Sequence, residues 1–113
     1  MEEFKDRIIA IVLLDPSPAP DDVEKVLEDV PARALHVILD LGQVEYLSND
    51  VIAFFLQLHK KLERIGKVVV VCSVQEHVAE KLYLLGILDN ILPGFLTHKE
   101  AEEWLLELEM QTC

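Results

Sequence analysis

Apolar residues recur along this chain in two alternating rhythms: short unbroken runs, and longer stretches spaced by threes and fours. Residues 34–41 (ALHVILDL) are dense in apolar and β-branched side chains, as in a strand buried on both faces. A polar turn over 42–50 follows, after which Val51, Phe54, Phe55, Leu58, Leu62 and Ile65 fall on the 3.6-residue period of a helix. Ser48, Asn49 and Asp50 are all good N-cap types, so SND sits over free backbone N–H groups and the positive end of a helix dipole. A second strand is expected over 7–14 (RIIAIVLL), ended by Pro16, Pro18 and Pro20, which cannot carry a ladder or a helix interior. Asp21 then reads as the N-cap of a helix, with Glu24 completing a capping box. Val23, Val26, Leu27 and Val30 form its narrow apolar stripe, and Pro31 stops it.

The alternation continues downstream. Lys60, Lys61, Arg64 and Lys67 gather at the carboxyl end of the central helix, where cations oppose the dipole, and Gly66 is placed to close it in a left-handed conformation. Residues 68–72 (VVVVC) read as a third strand, and Ser73 with Glu76 as a capping box opening a helix that runs to Gly86. Phe95 and Leu96 give a short last strand. Thr97 with Glu100 caps a terminal helix whose inner stripe is Ala101, Trp104, Leu105 and Leu108. Residues 1–4 offer a weak further edge strand, with Glu2, Glu3 and Lys5 against it. Strand and helix alternating in this way give an α/β fold: a single domain with a mostly parallel mixed sheet of four to five strands and about four helices. Leu84, Leu88, Ile91 and Leu92 are a denser apolar set than one short helix end usually hides; they are assigned mainly to the core, with a dimer or partner face as the alternative.

Composition narrows the functional classes. The 113 residues suffice for one core, and 51% hydrophobic with 27% charged residues is globular composition. The 21 acidic residues against 10 basic ones give a formal net charge of -11, which repels phosphate backbones and anionic lipid heads. Nucleic acid is therefore not expected as a partner, and a basic protein is. No apolar run approaches the roughly 20 residues that cross a bilayer. The amino end, Met1-Glu2-Glu3, does not resemble an export leader, and the chain is expected to be a free cytoplasmic protein. Cys72 and Cys113 match no zinc spacing and are read as reduced thiols.

Little here points to catalysis. The four histidines at 36, 59, 77 and 98 are scattered and read as satisfied or exposed imidazoles, and no HExxH pair suggests a metal. Four glycines make neither a GxGxxG nor a GxxxxGK[ST] loop, and no GxSxG elbow surrounds Ser17, Ser48 or Ser73. The expectation is a protein that is not an enzyme and takes neither cofactor nor metal. One acidic constellation competes. Asp15 and Asp40 end adjacent strands, with Ser73 and Lys99 after the next two, which faintly resembles a response-regulator receiver with Asp40 as phosphoacceptor. That family, however, places an acidic pair after its first strand, whereas here Pro16 follows Asp15.

The strand ending VILDL (37–41), the loop QVEYLSNDV (43–51), the helix VIAFFLQLHKKLERIGK (51–67), the strand VVVVCS (68–73) and the tail LLGILDNILPGFLTHKEAEEWL (84–105) together resemble a STAS domain. This module is shared by bacterial anti-sigma factor antagonists and the cytoplasmic ends of sulfate transporters. The resemblance covers about residues 7–108 and implies a docking module in bacterial signalling and transcription regulation. In phospho-regulated members the loop before the central helix reads approximately Asp-Ser-Ser/Thr-Gly, and the first hydroxyl residue is phosphorylated by a partner that is both anti-sigma factor and kinase. Here those four positions are Ser48, Asn49, Asp50 and Val51. Asn49, at the acceptor position, has no hydroxyl.

Three readings of the altered loop stay open: docking without phosphate control, a permanent charge from Asp50 in place of phosphate, or phosphorylation of Ser48 one place early. A plain helix cap is the structural alternative to all three. The expected partner-binding residues are Tyr46, Leu47, Ser48, Asn49, Asp50, Val51 and Ile52, with Asp15 and Ser17 beside them and Gln57 and Lys61 on the exposed side of the helix. The implied partner is a protein, with an anti-sigma factor kinase the first candidate and a second copy another. The alternatives are the receiver-like role and a subunit of a transport or stress complex.

Overall fold

In a computed structural model of the chain, which describes residues 2–5, 9–28, 30 and 35–111, one sheet runs through the molecule in the order β1-β2-β3-β4-β5. Its strands are β1 (Glu2–Lys5), β2 (Ile9–Leu13), β3 (His36–Asp40), β4 (Val69–Cys72) and β5 (Gly94–Phe95). β2 to β5 are parallel, and β1 adds an antiparallel edge in which Glu2 pairs with Val12 and Lys5 with Ile9. The weakly read edge strand is thus present, and the mixed, mostly parallel α/β sheet is as expected. The helices are α1 (Pro20–Leu27), α2 (Asn49–Glu63), α3 (Glu76–Leu84) and α4 (His98–Gln111).

The unbroken apolar runs of the central strands follow from burial on both faces. Ala10, Val12, Val37, Leu39, Val69 and Val71 pack with Val23 of α1, Phe55 and Leu62 of α2, and Val78 and Leu82 of α3. Ile9, Ile38, Val70 and Cys72 point the other way, where Ala101 and Leu105 of α4 cover them. Among the described residues, α1, α2 and α3 therefore line one face, and α4 packs on the other. Gly66 lies beyond α2 at φ 75°, the left-handed close its position suggested, with Lys67 N–H donating to the Leu62 carbonyl at 2.9 Å.

Several local expectations are corrected. Asp21 is not the cap of α1: Ala19 caps it and Pro20 is the first helical residue, where a missing N–H and a fixed φ cost nothing. Ser73 does not cap α3, whose N-cap is Gln75; Ser73 is left-handed at φ 57° and donates its hydroxyl to the Leu96 carbonyl at 3.4 Å. Thr97 does accept the Glu100 N–H, at 3.2 Å. Trp104 is 37% exposed, because the buried line of α4 passes through Ala101 and Leu105, and its ring lies 5.5 Å from that of Phe95 at the rim. Of the apolar set after α3, Leu92 is buried and Leu88 packs against the core, whereas Leu84 and Ile91 are exposed. The Val26 and Leu27 side chains, Arg7, Ala34, the Pro31 helix stop, Met1 and Cys113 lie outside the described residues.

A polar clasp on the buried His36 fixes the end of α4. His36, on β3 and almost fully buried, accepts the Val68 N–H at its Nδ1 (3.1 Å), so its Nε2 carries the proton and donates to Glu109 at 2.8 Å. Lys67 Nζ donates to the same carboxylate at 3.0 Å. The hydrogen bonds from His36 and then Lys67 hold the Glu109 carboxyl below its usual range. An acid held more strongly ionised in the folded chain than in the unfolded one stabilises the fold above the ordinary carboxylate range, and that contribution is lost as pH falls through the folded value.

Two outcomes follow from this packing. Leu105→Ala is expected to cost about 2–5 kcal/mol in chemical denaturation. Glu109→Gln is expected to lower stability at neutral pH by about 1–3 kcal/mol, and its gap from wild type should close as denaturation is repeated at progressively lower pH.

Candidate docking site at the start of the central helix

The β3–α2 connection has to turn a buried strand into a helix while satisfying its own backbone. Ser48 caps α2, its hydroxyl accepting the Val51 N–H at 3.3 Å, so the helix opens at Asn49, two residues before the apolar pattern alone places it. Asp50 lies in the first turn, matched to the dipole. Upstream, the Asp40 carboxylate accepts the Gly42 N–H at 2.9 Å, and a side chain at 42 would meet that carboxylate at 3.0 Å.

The turn after β2 is part of the same surface. Glu45 and Tyr46 both donate their N–H groups to the Pro16 carbonyl, at 2.8 and 3.2 Å, which sets Asp15 and Ser17 beside the loop. Asp15, Ser17, Tyr46, Asn49 and Asp50 are exposed, and Ser48 is half-buried. Asn49, Ala53, Gln57 and Lys61, four residues apart, form one exposed stripe of α2. Leu47, Val51 and Ile52 are a correction: they are buried, members of the core that hold the loop down, and their side chains present no contact surface.

Three side chains that sequence reasoning did not single out strap the loop from the far side. Gln75 Nε2 donates to the Gly42 carbonyl at 3.0 Å, the His77 Nε2–H to the Glu45 carbonyl, and Lys81 Nζ to the Leu47 carbonyl at 2.6 Å. The Lys81 ammonium also lies 5.2 Å from the centre of the Tyr46 ring, a cation–π distance. The only signal in the sequence is that His77 and Lys81 are four apart on a helix whose apolar line is Val78 and Leu82, and nothing there names the carbonyls they reach.

Among the described residues, no group of three or more His, Cys, Asp or Glu side chains is placed to hold a metal ion. Burial, and then the neighbouring Asp40 carboxylate, pushes the Cys72 thiol up to about 11, so it stays protonated near neutral pH and is a poor nucleophile. Among the described residues, no helix is long and apolar enough to cross a membrane.

A family model, the STAS domain, matches residues 1–101. The chain belongs to the STAS family. The receiver reading, with Asp40 as acceptor, gives way to that assignment, and Asp40 serves the turn at Gly42 instead. No curated protein matches the sequence. Among solved structures, the chain is similar to a Thermotoga maritima protein assigned as an anti-sigma factor antagonist (19% identity, 93% of this chain and 92% of that one, TM-score 0.80). It is also similar to the anti-sigma factor antagonist SpoIIAA in its unphosphorylated form (13% identity, 95% and 96% covered, TM-score 0.79). A third likeness is to a chain of the stressosome, a signal integration and transduction hub (16% identity, 96% and 98% covered, TM-score 0.74). At these identities the likeness is one of fold.

The strap makes Lys81 testable. Lys81→Met removes the donor to Leu47 while keeping the aliphatic stem, and is expected to raise amide exchange over residues 45–49 by about tenfold, with a loss of about 1–2 kcal/mol in stability. Hydrogen–deuterium exchange by mass spectrometry reads the first, and urea unfolding the second.

Proposed function

We propose that this STAS domain is a non-enzymatic docking module of bacterial signalling, binding a protein partner through the loop and first turns of α2 without phosphate control at the family's acceptor position. One observation carries the proposal: Asn49, the residue that the resemblance sets at the acceptor position, is an amide exposed on the first turn of α2. The neighbouring hydroxyl is engaged otherwise, since Ser48 is half-buried and accepts the Val51 N–H. A phosphate on Ser48 would sit where the cap is made, whereas a partner can reach Asn49, Asp50, Tyr46 and Gln57 with no rearrangement of the loop. Asp50 adds a fixed negative charge beside the acceptor position, smaller than that of a phosphate and with fewer acceptor oxygens.

The exposed groups at this site include Asp15, Glu45 and Asp50, and with a formal net charge of -11 they favour a partner with a basic face. The first candidate is an anti-sigma factor kinase that the domain engages as an unphosphorylated antagonist would. A second reading, a place among other STAS domains in a stress complex, is favoured by the fold's likeness to a stressosome chain.

Incubation with the anti-sigma factor kinases of its own cell and ATP separates these ideas. The expected result is a complex seen by size-exclusion chromatography, no phosphate on the domain by intact mass, and at least about a tenfold loss of affinity in Asn49→Arg. Phosphate transferred to Ser48, or binding indifferent to Asn49→Arg, would overturn the proposal.

A further inference from the structure

α3 has an outer side that the docking loop does not use. Tyr83, Leu84 and Leu85 at its carboxyl end are exposed, Leu84 by 75%, and Leu96 just past β5 is exposed by 81%. At Leu96 a recess of about 240 Å³ opens, lined also by Val74, Ala79, Leu88 and Phe95, with Ser73 and Asp89 as its polar members. That volume falls below the roughly 300–1,000 Å³ of small-molecule sites and suits one or two side chains of a partner.

The walls of the recess are fixed in advance. Ser73 and Asp89 are the only non-glycine residues at positive φ among those described, at 57° and 63°, and both line it. Each is held by its own hydrogen bond, Ser73 to the Leu96 carbonyl at 3.4 Å and Asp89 from the Gly94 N–H at 3.0 Å. A preformed wall needs no ordering when an anchor enters.

Charge selects the occupant. Glu76 and Glu80 are exposed and precede Leu84 at steps of four, so acid and apolar residues share one face of α3, and exposed Asp89 lines the recess. The cation of this helix, Lys81, is engaged by the Leu47 carbonyl. A symmetric contact between two copies would set these acids against themselves, in a chain whose formal net charge is -11. We infer that this face is a second docking surface, for a basic amphipathic helix of a partner protein that places an apolar anchor in the recess and lysine or arginine opposite Glu76, Glu80 and Asp89. The domain would then bridge two proteins, one at the start of α2 and one here.

The test uses the full chain and two synthetic amphipathic peptides of about 18 residues, identical on a Leu and Trp face and carrying lysine on the other face in one and glutamate in the second. Fluorescence anisotropy gives affinity, backbone amide shifts of the labelled protein locate binding, and sedimentation gives the oligomeric state. The lysine peptide is expected to bind at least about tenfold more tightly than the glutamate peptide, with shifts confined to residues 73–96. Leu84→Glu and Leu96→Glu, both at exposed positions, should each weaken it by at least about tenfold, and Asn49→Arg should leave it unchanged. The inference is overturned by absent or equal binding of the two peptides, by shifts spread over other acidic surface, or by indifference to both leucine variants. A wild-type dimer that Leu84→Glu dissociates would also overturn it, assigning the face to a second copy. Because Asn49→Arg reads only the α2 site, failure of one surface leaves the other standing.

Discussion

The loop between β3 and α2 depends on the requirement that backbone groups removed from water find partners. It runs over a buried strand end, presses Val44, Leu47 and Val51 into the core, and leaves carbonyls at Gly42, Glu45 and Leu47 to be satisfied. Gln75, His77 and Lys81 supply the donors, and the Pro16 carbonyl accepts from Glu45 and Tyr46. The site is therefore held from two sides, by α3 and by the turn after β2. Its polar tips are displayed on a frame whose apolar residues are fixed.

A docking surface gains affinity when its contact residues are already in place, because less ordering opposes association. Within the single run of seven residues from 46 to 52, Leu47, Val51 and Ile52 are buried and Tyr46, Asn49 and Asp50 are exposed. On α3, Lys81 reaches the Leu47 carbonyl and Leu84 is exposed. On the opposite face of the sheet, α4 is tied at its far end by the contact of Glu109 with His36 and Lys67.

Much of this was legible in the chain. The runs at 34–41 and 68–72 declared strands buried on both sides, and the 3.6-residue spacing from Val51 to Leu62 declared the central helix, because both signals arise from burial alone. Caps were less secure. Ser48 and Thr97 behave as read, but Asp21 was displaced by Pro20, and Ser73 was drawn into a left-handed turn that bonds Leu96, a partner 23 residues away. Trp104 reads as core by its spacing yet lies at the rim, since α4 buries a narrow line over a sheet edge ending in the two-residue β5. The strap was not legible: side chains reaching carbonyls about 30 residues away leave no local pattern.

The most direct test of the central claim, that the start of α2 is held rigid in order to be gripped by another protein, is site-specific photo-cross-linking in living cells. With p-benzoylphenylalanine at position 49, one discrete higher-mass adduct is expected, and none when the same probe replaces Glu103 on the exposed side of α4. An adduct from position 103 alone, or no adduct from position 49 under conditions where the chain is expressed and folded, would contradict the account.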